Sequence, residues 1–313
     1  MKILVTGSNG FVGRHALAAL QAAGHETIGA DINITPTGAG LPLDVRNLDD
    51  IQSALRHTRP DAILHLGGLA FVPLGWSDPQ NVFRVNTIGT LNILDAVRRE
   101  TPATRILVVT SAEVYGSHPA PAPLTEDAPY RPDNIYGIAK AAADHAALLY
   151  ASHHALNVMV ARPSNHIGPG QSKDFVSSAF AAQLAAIAAG APPAIRVGNL
   201  DQRRDFTDVR DVVRAYTLLL EHGQTGHAYN IASGRMIPVR QILDTLCEIS
   251  GIHPEVQISP DLYRPNQDRP SYDTTRIRQH VGWTPEITLP ETLATLYATF
   301  RPPRPCPPFA HCG

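Results

Sequence analysis

The sequence predicts an α/β protein: a doubly wound parallel sheet, with a smaller α/β domain in the C-terminal part of the chain. Three observations predict it. Lys2–Thr6 is a short apolar run that passes directly into the glycine-rich turn Gly7-Ser-Asn-Gly10-Phe-Val-Gly13. Short apolar runs then alternate with helical stretches as far as residue 161, the pattern of βαβ units and a parallel sheet. Beyond residue 170 the elements shorten, and Pro, Arg and turn residues become more frequent, which marks a second domain.

The chain has 313 residues, 43% of them apolar and 17% charged, enough for a globular protein with a real core. A net charge of −2 provides no basic field for nucleic acid or an anionic membrane. The three cysteines, Cys247, Cys306 and Cys312, make no disulfide framework, and with no charged-then-apolar leader a cytoplasmic protein is expected. No apolar run reaches the ~18 residues of a membrane span.

The first strand, the glycine turn and a helix to about Ala23 form a dinucleotide pyrophosphate site. The glycines admit the backbone, and the helix N-terminus offers free N–H groups to the anion. The spacing is G-x-x-G-x-x-G. A Rossmann-like domain is therefore expected over residues 1–170. Glu26–Ala30 reads as the second strand, ending in Asp31. An acid roughly 20 residues past the glycines can accept from the adenosine ribose, and it would repel a 2′-phosphate. No Lys or Arg follows before Arg46, so NAD is preferred and NADP is the alternative. The plain alternative for Asp31 is a residue that merely starts a loop. Leu43-Asp44-Val45 closes a third short strand, with Asp44 a candidate for the adenine edge.

Asp61–Leu66 is the fourth strand, and Gly67-Gly68 at its end lets a cofactor approach. His65 lies in an apolar strand and reads as a satisfied core residue. A long helix containing Asn86 is expected from about Asn81 to Arg99. Arg105–Thr110 is the fifth strand; Ser111-Ala-Glu113-Val-Tyr115-Gly116 follows it, and Ser111 is thus delivered to the carboxyl edge of the sheet, where ligands bind in such folds. A proline-rich loop leads to Asn134-Ile-Tyr136-Gly-Ile-Ala-Lys140 and an Ala- and Leu-rich helix. Tyr136 and Lys140, four residues apart, project from one face. A Tyr that exchanges protons at pH 7 needs its anion stabilised by roughly 3 units, and an ammonium one turn away supplies part of that. Alone, the pair is also compatible with two surface residues. Asn157–Ala161 is the sixth strand, followed by Arg162-Pro-Ser-Asn165.

The remainder reads as helices at 177–189, 208–222, 238–250 and 290–300, a short run at 194–198, and the loop 261–268. A second domain is expected over 171–300, with some chain crossing, and a loose Pro-rich tail over 301–313. Cys306, His311 and Cys312 are too few to hold a metal, and no metal site is expected.

These motifs together resemble the extended short-chain dehydrogenase/reductases, the NAD-dependent epimerase/dehydratase family of nucleotide-sugar enzymes. Within it, residues 162–171 and 198–211 are most similar to the GDP-4-keto-6-deoxy-D-mannose reductases, and less so to the GDP-mannose 4,6-dehydratases. The resemblance implies that Gly7, Gly10, Phe11, Val12 and Gly13 hold the cofactor pyrophosphate, Asp31 the ribose, and Asp44 and Val45 the adenine. Leu66, Gly67, Gly68, Asn86 and Pro163 would line the cofactor. Tyr136 would be the general acid/base, with Lys140 its partner and a ribose ligand, and Ser111 a donor to the sugar oxygen. Asn165, Val176, Arg204, Arg264 and Asp268 would contact a nucleotide-diphosphate sugar, GDP-linked by the same resemblance. Ion pairing with Asp205 or Asp268 is the plain alternative for the two arginines. Glu113 matches the carboxylate that dehydratases use to eliminate water, so dehydration and 4-epimerisation stand beside reduction; a dinucleotide sensor without catalysis is the remote alternative. A homodimer through the Asn86 and Tyr136 helices is implied.

Overall fold

The computed structural model describes residues 1–35, 40–117, 123–263 and 269–301. Its elements run β1 (Lys2–Thr6), α1 (Phe11–Ala22), β2 (Glu26–Asp31), β3 (Leu41–Pro42), α2 (Leu48–Thr58) and β4 (Ala62–His65). Two short helices follow, α3 (Leu74–Ser77) and α4 (Pro79–Phe83), then a π turn (Arg84–Ile88), α5 (Gly89–Glu100) and β5 (Arg105–Val109). A 3-10 turn (Ala112–Tyr115) leads to α6 (Ile135–His154), β6 (Val158–Pro163), β7 (Asn165–Ile167), α7 (Val176–Ala188), β8 (Ala194–Val197) and β9 (Arg203–Asp208). The chain ends with α8 (Val209–His222), β10 (Ala228–Ile231), β11 (Met236–Pro238), α9 (Val239–Ser250), β12 (Glu255–Ile258), α10 (Thr275–Val281) and α11 (Leu289–Ala298).

The central sheet has seven strands in the order β10-β6-β5-β4-β1-β2-β3, and its paired strands are parallel. The order reverses between β1 and β4. That is the switch point at which ligands enter a doubly wound sheet. Both faces are covered, so the strands are apolar throughout rather than alternating. One layer packs Ile3, Val5 and Leu64 against α1 and α8. The other packs Leu4, Ile63 and Ile106 against α2, α5 and α6.

Two compact units are present. The first comprises residues 1–166, 203–237 and 267–287 and contains the whole seven-stranded sheet. Trp283 closes it, buried with its indole N–H on Asp211 O at 2.9 Å. The second comprises 167–202, 238–266 and 288–313; within it α7, α9 and α11 pack together, and β8 pairs in parallel with β12.

Two sequence expectations are corrected, and one strand was not foreseen. The third strand is Leu41–Pro42 and stops before Leu43-Asp44-Val45, where Asn47 N bonds Asp44 O and turns the chain into α2. The helix expected from 81 to 99 is interrupted at Arg84–Ile88. The seventh strand, β10, went unread. It is only four residues long, Ala-Tyr-Asn-Ile, and reaches β6 from far along the chain. The proline-rich tail beyond residue 301, with Cys306, His311 and Cys312, lies outside the described residues.

Candidate active site

The floor of the site is built from glycines. Gly7 leaves β1 with φ +71°, and a Cβ there would stand 2.9 Å from Gly67 N. A Cβ on Gly13 would stand 2.2 Å from Gly7 O, so no side chain fits where α1 meets β1. Gly10 precedes α1 without a side-chain cap, and the first turn holds no acid. The N–H groups of Phe11, Val12 and Gly13, in the first turn of α1, are left without an intrahelical acceptor, and the positive end of the helix dipole lies there. Asp31, buried at the end of β2, accepts from Asn9 N at 3.0 Å and Asn33 N at 2.9 Å. It thus braces the glycine loop. Asp44 is engaged by Arg46 at 2.6 Å, which holds its carboxyl below the usual range. Val45 packs beneath α5, where a Cβ on Gly89 would stand 2.7 Å from Val45 Cγ2.

The end of β4 joins the glycine floor to the π turn and α6. Gly67 N donates to Thr6 Oγ1 at 3.1 Å. A Cβ on Gly68 would lie 2.8 Å from Asn86 Oδ1 and 3.2 Å from Lys140 Nζ. Asn86, fully buried in the π turn, bonds Leu69 twice, accepting from its N at 2.9 Å and donating to its O at 3.0 Å. Thr87 Oγ1 donates to Ala139 O at 2.9 Å and fixes α6 against the π turn. His65 is a satisfied core residue between Thr6 Oγ1 and Thr90 Oγ1.

Asn134 caps α6, its Oδ1 accepting from Gly137 N at 2.8 Å. The helix then presents Tyr136 and Lys140, both buried. The Tyr136 hydroxyl hydrogen-bonds Ser111, the residue that caps the turn after β5. Burial pushes the Tyr136 phenol up to about 12, the Ser111 bond opposing and the Glu113 charge adding to the rise. Desolvation outweighs the other contributions, and the Tyr136 phenol is neutral at pH 7. Lys140 Nζ donates to Val109 O at 3.0 Å; burial brings the amine down to about 8, with Asp144 opposing.

Glu113 is not a free carboxylate. Its Oε2 accepts from Asn134 Nδ2 at 2.8 Å and from Arg269 Nη2 at 2.9 Å. Arg269 and Asn134 were missed in the sequence. An Asn before a helix signals a cap, but nothing local marks Arg269, which arrives 156 residues from Glu113. Arg204, half-buried on β9, shares this patch: burial lowers its affinity for the proton, the Arg269 charge adds to this, and Glu113 opposes. Asn165 Nδ2 bonds Asp205 O at 3.2 Å, joining β7 to β9. Asp205, the ion-pair alternative for Arg204, accepts from Ser164 Oγ, Ser233 N and Arg235 N. Pro163 ends β6, with Arg162 before it buried in a bidentate pair with Asp144. Val176 opens α7 in the second unit. Arg264 and Asp268 lie outside the described residues. Among the described residues no group of three or more His, Cys, Asp or Glu could hold a metal ion.

A parallel sheet with a glycine cradle at its switch point, and Tyr136 and Lys140 on α6 beside Ser111 at the end of β5, defines an extended short-chain dehydrogenase/reductase. The chain belongs to the family described as GDP-mannose 4,6 dehydratase, whose model matches residues 4–296. It is 36% identical over 298 residues to a GDP-6-deoxy-D-mannose reductase of Pseudomonas aeruginosa, covering 94% of this chain and 95% of that one. It is 33% identical to a GDP-6-deoxy-D-talose 4-dehydrogenase of Aggregatibacter actinomycetemcomitans, covering 80% of each chain. Among solved structures, RMD of Pseudomonas aeruginosa complexed with NADPH matches with TM-score 0.86 and 33% identity, covering 96% of this chain and 98% of that one. Thermus thermophilus UDP-glucose 4-epimerase with NAD matches with TM-score 0.84 and 28% identity, covering 96% and 99%. The protein is a nicotinamide-dependent enzyme of nucleotide-sugar chemistry.

Proposed function

We propose that this enzyme reduces the 4-keto group of a GDP-linked 4-keto-6-deoxyhexose. The observation that carries the reading is the neutral Tyr136 phenol, held by Ser111 beside a buried Lys140. A carbonyl that gains hydride needs a proton at oxygen, and a neutral phenol in a dry site is a donor for it. The similarity to a GDP-6-deoxy-D-mannose reductase over most of both chains supports the substrate. The nicotinamide supplies hydride to the carbonyl carbon when bound; the glycine cradle at Gly7, Gly10 and Gly13 has the shape for its pyrophosphate. Ser111 orients the carbonyl oxygen, Tyr136 gives it a proton, and Lys140 holds the ribose and keeps positive charge behind the phenol. Arg204, with its fork of donors, suits the substrate diphosphate. Gly67, Gly68, Asn86 and Pro163 line the cofactor, with Asp44 and Val45 toward the adenine. Asn165, Val176, Arg264 and Asp268 remain with the nucleotide sugar.

Asp31 favours NAD over NADP, because a 2′-phosphate at the ribose would meet its charge. The complex of the Pseudomonas protein with NADPH makes the comparison worth measuring. A homodimer is supported by exposed Ile138 and Leu149, eleven residues apart on α6 and hence on one face, and by exposed Ile88 on the π turn. Cysteine usage favours the cytoplasm. Among the described residues no helix is long and apolar enough to cross a membrane.

The test is incubation with GDP-4-keto-6-deoxymannose and either NADH or NADPH, following cofactor oxidation and the mass of the alcohol formed. Turnover with at least one cofactor is expected; no alcohol with either sinks the reading.

A further inference from the structure

Among the described residues, Glu113 is the acidic side chain whose charge raises the Tyr136 phenol. A carboxylate beside the acid that serves a ketone is placed to do a second reaction, removal of a proton from the carbon next to the carbonyl. That step is chemically complete without any oxidant. The C5–H proton passes to Glu113, the C–H pair forms the C4–C5 double bond, the carbonyl pair moves to O4, and Tyr136 protonates O4. Such an enol is the route to inversion at C5, and a reductase that opened it would scramble its own substrate.

Here the carboxylate is held from two independent elements. Arg269 Nη2 donates to Glu113 Oε2 at 2.9 Å, and its two Nη atoms reach Asp133 at 3.0 and 3.1 Å. Asn134, which already caps α6, donates to the same Oε2 at 2.8 Å and to Asp133 Oδ1 at 3.2 Å. Asp133 is itself fixed by Ser117 Oγ at 2.7 Å. The Arg269 side chain is only 5% exposed, so water does not replace it. Oε2, which accepts from a guanidinium and an amide at once, has no lone pair directed at a sugar carbon, and the same two bonds fix the direction in which Oε1 points.

We infer that Arg269 is a specificity-determining residue: its pairing with Glu113 and Asp133 withholds Glu113 from the sugar and confines the enzyme to reduction at the carbonyl. The inference rests on the reductase reading above and adds to it a reason why a chain that carries Glu113 does not enolise its substrate.

The experiment uses the full chain with bound oxidised cofactor and GDP-4-keto-6-deoxymannose in deuterated water, reading deuterium gained by the recovered keto sugar by mass spectrometry. The parent is expected to exchange no faster than buffer. Arg269→Gln should exchange about 100-fold faster, the size of a general-base contribution, and Arg269→Gln with Glu113→Gln should return to the buffer rate. Unchanged cofactor affinity of Arg269→Gln establishes that it is folded. Arg269→Lys, which keeps the charge but loses the fork, should show intermediate exchange and supplies the answer if Arg269→Gln does not fold. Exchange by the parent that Glu113→Gln abolishes, parent-level exchange in both Arg269 variants, or exchange that persists without Glu113 would each overturn the inference. Reduction by the parent with added NADH or NADPH is measured alongside: its absence defeats the reductase reading, whereas its presence without Arg269-dependent exchange defeats this one alone.

Discussion

At the residue scale, protonation is set by burial more than by neighbours. Tyr136, pushed up to about 12, is a proton donor across the neutral range. Tyr136→Phe should lower turnover at least ~100-fold, with keto-sugar affinity kept; activity within a few-fold of the parent would remove the acid from the mechanism. Lys140, brought down to about 8, is a cation below that pH and loses its charge above it. The reduction rate should therefore fall as pH rises through about 8, and Lys140→Met should be slow and lack that limb. A parent profile flat from pH 7 to 9 contradicts this. Arg204→Ala removes a charge-assisted pair of roughly 1.5–3 kcal/mol and should raise the substrate constant roughly ten- to a hundredfold without weakening NAD. The Tyr136/Lys140 pair was legible because spacing four on a helix shows in any sequence. The direction of the Tyr136 shift was not, because desolvation comes from packing. Arg269 was not legible either: an ion pair to Glu113 across 156 positions leaves no local pattern.

At the scale of elements, the site is a joint between the end of β4, the π turn and α6. The sequence showed the helix around Asn86 as one piece because apolar periodicity does not register a widened turn. The widening has a structural use, since it buries Asn86 against Leu69 while Thr87 bonds Ala139, and π turns recur at functional sites. Gly68 is a tight point of this joint. An added methyl meets Asn86 Oδ1 at 2.8 Å and Lys140 Nζ at 3.2 Å, and both must give way. Overpacking of this kind costs about 1–3 kcal/mol, so Gly68→Ala should weaken cofactor binding about tenfold or more. Calorimetry with NAD measures it; unchanged affinity would show that the joint yields without disturbing the site.

Across the whole molecule, the parallel sheet was legible in its first six strands, because a strand buried on both faces is an apolar run. The last strand, β10, was not: Tyr229 and Asn230 make it read as a loop, and only in the fold are they buried, Asn230 Nδ2 donating to Leu124 O at 3.0 Å. The same burial sets an acid limit through His65, at the carboxyl end of β4 on the central switch point. Burial, with the nearby Lys140 charge, pulls this imidazole down to about 3 from its ordinary value of 6.5. Between those values the unfolded chain binds a proton that the native one refuses. Stability from the neutral imidazole is therefore complete above pH 6.5 and is lost as pH falls toward 3, at up to about 1.4 kcal/mol per pH unit. Carboxylates contribute little slope between pH 7 and 5, because their ordinary values lie lower. Urea unfolding at pH 7 and pH 5 should show the parent losing stability over this interval. His65→Gln, which keeps an amide for Thr6 and Thr90, should be less stable at pH 7 but lose about one proton less of pH dependence. Equal slopes in the two proteins would mean that His65 accepts its proton without unfolding, and that the core around β4 admits charge.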